Sequence, residues 1–130
     1  NIFHIFPKGK QEFTRVNITS GAQCKADNCV VQKGKPITLD ADFIANQNSK
    51  TVEVAMWASA DEFDVPLPDI ESDGCKYIKC PLVKGAKYNY KYTFKVPIYL
   101  PNEHGSLKVT FTGDNGSSLG CFTLNGELRD

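Results

Sequence analysis

No stretch of this sequence is long and apolar enough to cross a membrane as a helix, which takes about 18–20 consecutive residues. The chain is expected to be soluble, with no membrane span. Charge of one sign is lacking too: 15 Lys and Arg stand against 15 Asp and Glu, for a formal net charge of +0. Without a basic cluster there is no electrostatic footprint for nucleic acid or for an anionic membrane surface. Histidine is scarce, with 2 in 130 residues. His4 lies in the N-terminal segment and His104 in a Pro-Asn-Glu-His-Gly turn, neither in a nucleophile setting. A Gly-x-Ser-x-Gly elbow, a phosphate loop and a His-Glu-x-x-His motif are all missing. These absences argue against an enzyme and against a cofactor. No secretory leader is read at the N-terminus, and the sequence is expected to be either a mature form or one from which a leader has been removed. Sustained helical periodicity, internal repeats and a dividing linker are also lacking, so residues 1–130 are expected to form one domain.

Cysteine is present, and its spacing is informative. The 5 cysteines fall into two close pairs, Cys24-KADN-Cys29 and Cys75-KYIK-Cys80, with Cys121 left over. Zinc knuckles are usually tighter, and neither histidine stands beside a pair. The spacing therefore reads as two local disulfides, Cys24–Cys29 and Cys75–Cys80, in an oxidising compartment. Two N-glycosylation acceptor triplets begin at Asn17 and Asn115 and fit a secreted protein. The acidic residues Asp61, Glu62, Asp64, Asp69, Glu71 and Asp73 read as a solvated loop, since their spacing does not match a calcium-binding EF-hand. No metal site is expected.

The dominant period is two. Ile37 to Phe43, Thr51 to Ala58, Tyr88 to Val96 and Leu107 to Thr112 alternate apolar with polar residues, the last two cleanly. Each stretch puts one apolar row on one face of a strand. Breakers separate them: Gly34-Lys-Pro36, Asn46-Gln-Asn48, Pro66-Leu-Pro68, Ser72-Asp-Gly74, Pro97, Pro101 and Gly113-Asp-Asn-Gly116. The pattern predicts an all-β sandwich of two antiparallel sheets with apolar inner faces. The inward rows are rich in aromatics, and two interiors are compatible with them, the solid core being the ordinary reading. One is a solid core with tyrosine hydroxyls at its rim. The other is an apolar slot propped open between the sheets. Trp57 has the opposite parity to Val54, Met56 and Ala58. It is read as a surface tryptophan packed under a loop, or as a contact for a partner.

Four stretches carry a resemblance: ANQNSKT (45–51), KYIKCPLVKG (76–85), KYTFKVP (91–97) and the ending LRD. Together, over nearly the whole chain from about Glu12 onward, they resemble the group 2 house-dust-mite allergens of the ML family. These lipid-recognition domains include the Niemann-Pick type C sterol carrier. The resemblance implies a secreted immunoglobulin-like sandwich that holds a fatty acid, sterol or other lipid between its sheets. It also implies allergen-like behaviour, with a receptor or antibodies as partners, in a monomer or weak dimer. The family's third disulfide joins the cysteine matching Cys121 to one near Lys8, where this chain has none. The departure predicts a free thiol at Cys121 and a first strand not covalently tied to the last. Between Gly120 and Phe122 the thiol is read as buried, the alternative being an exposed one able to link two chains.

Periodicity and resemblance together propose the wall of a lipid slot. Its candidates are Ile37, Leu39 and Phe43, then Val54, Met56 and Ala58, then Tyr90, Tyr92, Phe94 and Val96. Leu107, Val109, Phe111, Phe122 and Leu124 complete it, and Phe63, Val65 and Leu67 are placed at its open end. The alternative is an immunoglobulin-like interaction module with a solid core that acts through its surface.

Overall fold

The alternating stretches form strands, as their period requires. A computed structural model of the chain describes residues 3–6, 13–25, 28–61 and 63–130. In chain order the strands are β1 (Phe3–Phe6), β2 (Phe13–Ser20), β3 (Ala22–Lys25), β4 (Asn28–Gln32), β5 (Pro36–Ile44), β6 (Glu53–Ala60), β7 (Phe63–Pro66), β8 (Lys87–Lys95), β9 (His104–Thr112) and β10 (Ser118–Arg129). His104, expected in a turn, opens β9 instead: its backbone pairs with Glu127 at the end of β10.

Two sheets result. The smaller runs β2-β5-β8, and the larger runs β3-β4-β10-β9-β6-β7 with β1 also beside β10. Neighbours are antiparallel except β10 with β4, which lie parallel. In the small sheet the inner residues pair rung by rung, Ile37 with Phe94, Leu39 with Tyr92, Ala41 with Tyr90 and Phe43 with Tyr88. The polar residues between them face water. There Arg15 bonds Asp42 at 2.7 Å and Asp40 at 3.0 Å, and Asn89 reaches both carboxylates.

The core is not uniform along the sandwich. Where β2 begins and β5 ends, four phenylalanines from both sheets meet. Phe13 packs 4.8 Å from Phe122, 5.1 Å from Phe111 and 5.5 Å from Phe43, centroid to centroid. Edge-on and tilted contacts of this kind add about 0.5–1.5 kcal/mol per pair beyond area burial. All four rings are at most 1 % exposed.

Covalent and polar ties hold the loops. The Cys24–Cys29 disulfide closes the β3–β4 hairpin between directly opposed residues, and Cys75–Cys80 closes the loop before β8. Cys121 is buried on β10 outside both bridges. The position near Lys8 lies outside the described residues. The first strand is nevertheless tied to the last by a backbone ladder from Phe3–Leu124 to Phe6–Cys121. Hydrogen bonding thus joins the two elements without a disulfide. The acidic stretch is put to local use. Asp73 caps the short 3-10 turn Gly74–Lys76, Glu71 bonds Lys76, and Asp64 accepts from Ser59, whereas Glu62 lies outside the described residues.

The 45–51 loop is pinned by one carboxylate. Asp114 accepts from the backbone N–H of Lys50 at 2.9 Å, from that of Thr51 at 3.1 Å, and from the Thr51 hydroxyl at 2.8 Å. Ser49, 3 % exposed, in turn accepts from the Asp114 N–H at 2.9 Å. These donors, the Lys50 N–H foremost, hold the Asp114 carboxyl below its ordinary value of 3.8. The Arg15 hydrogen bond, followed by that from Asn89, does the same for Asp42.

Both groups therefore bind protons more weakly in the folded than in the unfolded chain. Their stabilisation is complete above the ordinary carboxylate value and is lost as pH falls through the lowered folded values. Asp114→Asn should lower the thermal unfolding midpoint at neutral pH. It should also flatten the acid-side loss of stability below about pH 4. An unaltered acid limb in a pH series of melting curves would exclude this role.

Candidate functional site

At the end opposite the phenylalanine cluster the side chains become small. β6 finishes in Ala58, Ser59 and Ala60, and Gly105 of β9 stands opposite Gly126 of β10. A methyl group at Gly105 would sit 2.3 Å from the Ser59 carbonyl oxygen, and one at Gly126 would sit 2.5 Å from that of Cys29. Both backbones approach too closely for any other residue. Small groups here leave volume that the phenylalanines fill elsewhere, and a cavity of about 70 Å3 lies between the sheets.

Its walls are apolar on both sides. The small sheet contributes Ile18, Ile37 and Phe94, and the residue after β8 contributes Val96. The large sheet and the segment after β7 contribute Val31, Ala58, Phe63, Leu67, Leu107, Leu124 and Leu128. Polar groups gather at the mouth. Glu127, only 13 % exposed, is held by Arg129 at 2.7 Å and lies 3.9 Å from His104, with Glu103 and Asn125 beside them. An apolar interior with a charged rim is suited to taking up an apolar molecule and keeping its head in water. The volume is below the roughly 300–1,000 Å3 of clefts that enclose drug-sized ligands. A molecule of that size would fit only if the sheets parted.

The proposed wall residues divide into three groups along the sandwich. Ile37, Ala58, Phe63, Leu67, Phe94, Val96, Leu107 and Leu124 line the cavity. Leu39, Met56, Tyr92 and Val109 form the closed rungs behind it. Phe43, Val54, Tyr90, Phe111 and Phe122 belong to the filled half. Val65 is half-buried on β7, away from the cavity. Trp57 is half-buried and paired with Pro66 and Lys108, the Lys108 ammonium lying 6.0 Å from its ring centroid. Of the glycosylation acceptors, Asn17 is exposed on β2, an edge strand, and Asn115 is exposed in the turn before β10.

Sequence reasoning did not name Ile18, Val31 or Leu128. Leu128 continues the period-two row from Leu124 and was findable. Ile18 was concealed because the β2–β5 register shifts between Phe13 and Arg15, and again between Ile18 and Ser20, which breaks the alternation. Val31 sits beside Val30 in a short hairpin, where period alone does not choose the inner face.

The tyrosines behind the cavity differ in how their hydroxyls are satisfied. Tyr92 accepts from the Glu71 N–H at 2.9 Å, and Tyr88 from the Val83 N–H at 2.8 Å. Tyr90 is 0 % exposed, and its hydroxyl has no hydrogen-bond partner among the described residues. Burial pushes its pKa well above the ordinary value, so the group stays protonated.

Residues 8–128 match a family model described as the ML domain. The mite group 2 allergen Tyr p 2 of Tyrophagus putrescentiae is 39% identical over 121 residues, covering 93% of this chain and 83% of the relative. Der f 2 of Dermatophagoides farinae is 42% identical over 106 residues, or 81% of this chain and 73% of its own. Among solved structures, a Niemann-Pick type C2 protein from the Japanese carpenter ant superimposes with a TM-score of 0.84 at 21% identity, covering 99% of this chain and 100% of that one. Chicken MD-1 complexed with lipid IVa gives a TM-score of 0.60 at 14% identity, covering 95% and 85%. The fold is therefore an immunoglobulin-like β-sandwich of this type.

A hollow half and a filled half respond differently to added volume. Ala58→Leu, placed at the cavity, should change unfolding free energy by less than about 1 kcal/mol or raise it. Val109→Trp, in the closed rungs, should cost about 1–3 kcal/mol as overpacking. Urea unfolding of the two variants tests the contrast, and equal losses would exclude it.

Proposed function

The chain belongs to the ML domain family, and from that premise we propose that it is a secreted, non-enzymatic carrier of a single lipid. The ligand is a fatty acid, a sterol or another lipid with a long apolar body, held between the two sheets. The observation that carries this reading is the apolar cavity at the small-residue end, open at a rim of Glu103, His104, Asn125 and Glu127. Two disulfides support an extracellular setting. The Niemann-Pick type C2 and MD-1 structures share the fold, and the latter was solved with a lipid.

The mechanism is passive. Apolar area leaves water at about 25 cal/mol per Å2, so each methylene drawn between the sheets contributes about 0.8 kcal/mol before ordering costs. Against that gain stands the work of parting Ile37 and Phe94 from Leu107 and Leu124. Hydrophobic contact is non-directional, so the walls select by girth more than by pattern. An ionised head remains at the mouth, because its charge is stabilised by water there and by nothing in the interior.

The deciding experiment is to purify the protein from a eukaryotic source, denature it, extract it with organic solvent and identify what is released by mass spectrometry. A stoichiometric fatty acid, sterol or phospholipid is the expected result. Ala58→Trp, which fills the cavity, should reduce the yield at least tenfold, on the order of the binding lost when a pocket of this kind is blocked. An empty extract, repeated after incubation with a mixed lipid pool, would reject the carrier. It would favour instead a module that acts through its surface, with Trp57 as the first contact to mutate.

A further inference from the structure

Behind the cavity the inner residues continue in ordered rungs. Ile37 and Phe94 stand at its wall, Leu39 and Tyr92 come next, and Ala41 and Tyr90 follow. The rings of Phe94, Tyr92 and Tyr90 stack at 6.0 Å per step, forming one aromatic ladder. On the facing sheet Ala58 with Leu107 gives way to Met56 with Val109, then to Val54 with Phe111. Phe111 meets Tyr90 edge-on at 5.1 Å, and beyond it lie the other phenylalanines of the filled end.

This order gives a growing slot a direction. A ligand that needed more than 70 Å3 would have to displace the next rung, that of Met56, whose unbranched side chain yields most readily. It is stopped at the phenylalanine cluster. In the rung before that floor stands Tyr90, beside Tyr92 and Tyr77, its hydroxyl fully buried and without a partner among the described residues, whereas Tyr88 and Tyr92 have backbone partners. A hydroxyl in such a place is destabilising until something bonds to it. Ala41, paired with Tyr90 on the neighbouring strand, is the smallest inner residue of the ladder.

We infer that the Tyr90 hydroxyl is the inner polar anchor of the slot, and that the preferred lipid carries a neutral oxygen, a hydroxyl or a carbonyl, at the end that enters first. A tyrosine hydroxyl donates to a carbonyl and accepts from a hydroxyl, so either group satisfies it. A carboxylate does not qualify, because its charge would enter a dry interior without a counter-ion. The ligand class is thus a long apolar molecule with oxygen at both ends: a charged or polar head at the mouth and a neutral oxygen function deep inside. The inference rests on the carrier reading above and adds to it the chemistry of the buried end.

The test compares hexadecanoate with its ω-hydroxylated form, in wild type and in Tyr90→Phe, by isothermal titration calorimetry. The variant removes only an oxygen that lacks a partner, and its melting curve checks that it is folded. Wild type is expected to bind the hydroxy acid at least as tightly as hexadecanoate. In Tyr90→Phe the ratio of the two dissociation constants should shift about tenfold against the hydroxy acid, the loss expected when a buried hydroxyl is left unpaired. An unchanged ratio, or wild type binding hexadecanoate while rejecting the hydroxy acid, would overturn the anchor and leave the carrier standing. Failure of wild type to bind either acid would overturn both.

Discussion

The contact of Phe13 with Phe111 and Phe122 is the one on which the remaining architecture depends. Phe13 comes from the edge of the three-stranded sheet, and its two partners come from adjacent strands of the larger one. Rings of fixed size, packed edge-on at about 5 Å, set how far apart the sheets stand at that end. Interiors pack like crystals, so the spacing there cannot drift. At the other end Ala58, Ala60, Gly105 and Gly126 supply no comparable spacer, and the sheets enclose space. The sandwich is thus filled at one end and hollow at the other.

The polar ties lie outside the core. The Asp114 network fastens the 45–51 loop at the filled end, and the Arg15–Asp40–Asp42–Asn89 group lies on the outer face of the small sheet. Among the described residues, the hydrogen bond from Lys33 to the Leu100 carbonyl, with its ion pair to Asp130, fastens the chain terminus near the open end. The cysteine pairs likewise brace loops within short spans of chain, and neither bridge crosses from sheet to sheet. Even without a covalent tie to Cys121, the first strand keeps its ladder against β10, because backbone donors and acceptors depend little on which side chains are present.

Much of this was legible in the residues. The alternation from Tyr88 to Val96 placed Tyr90, Tyr92, Phe94 and Val96 on one face, and all four are buried. The two local disulfides followed from spacing alone. The cavity was less legible, since Leu39 and Ile37 have the same parity and only one of them lines it. Ile18 was concealed by register shifts in β2, and Val31 by an adjacent valine.

Strand identity, the two apolar faces and the cysteine pairs were determined by the sequence itself, because period-two patterning and short loop closures are local properties. Which half of the interior is filled was decided only in three dimensions. Volume between sheets depends on which side chains face each other across the gap, and residues as distant as Ala58, Leu107 and Leu124 become neighbours only through pairing. The same holds for Tyr90: the sequence shows a tyrosine on an inward row, as it does for Tyr88 and Tyr92. Only the packed core leaves one of the three hydroxyls without a partner among the described residues, since Glu71 and Val83 lie within reach of its neighbours.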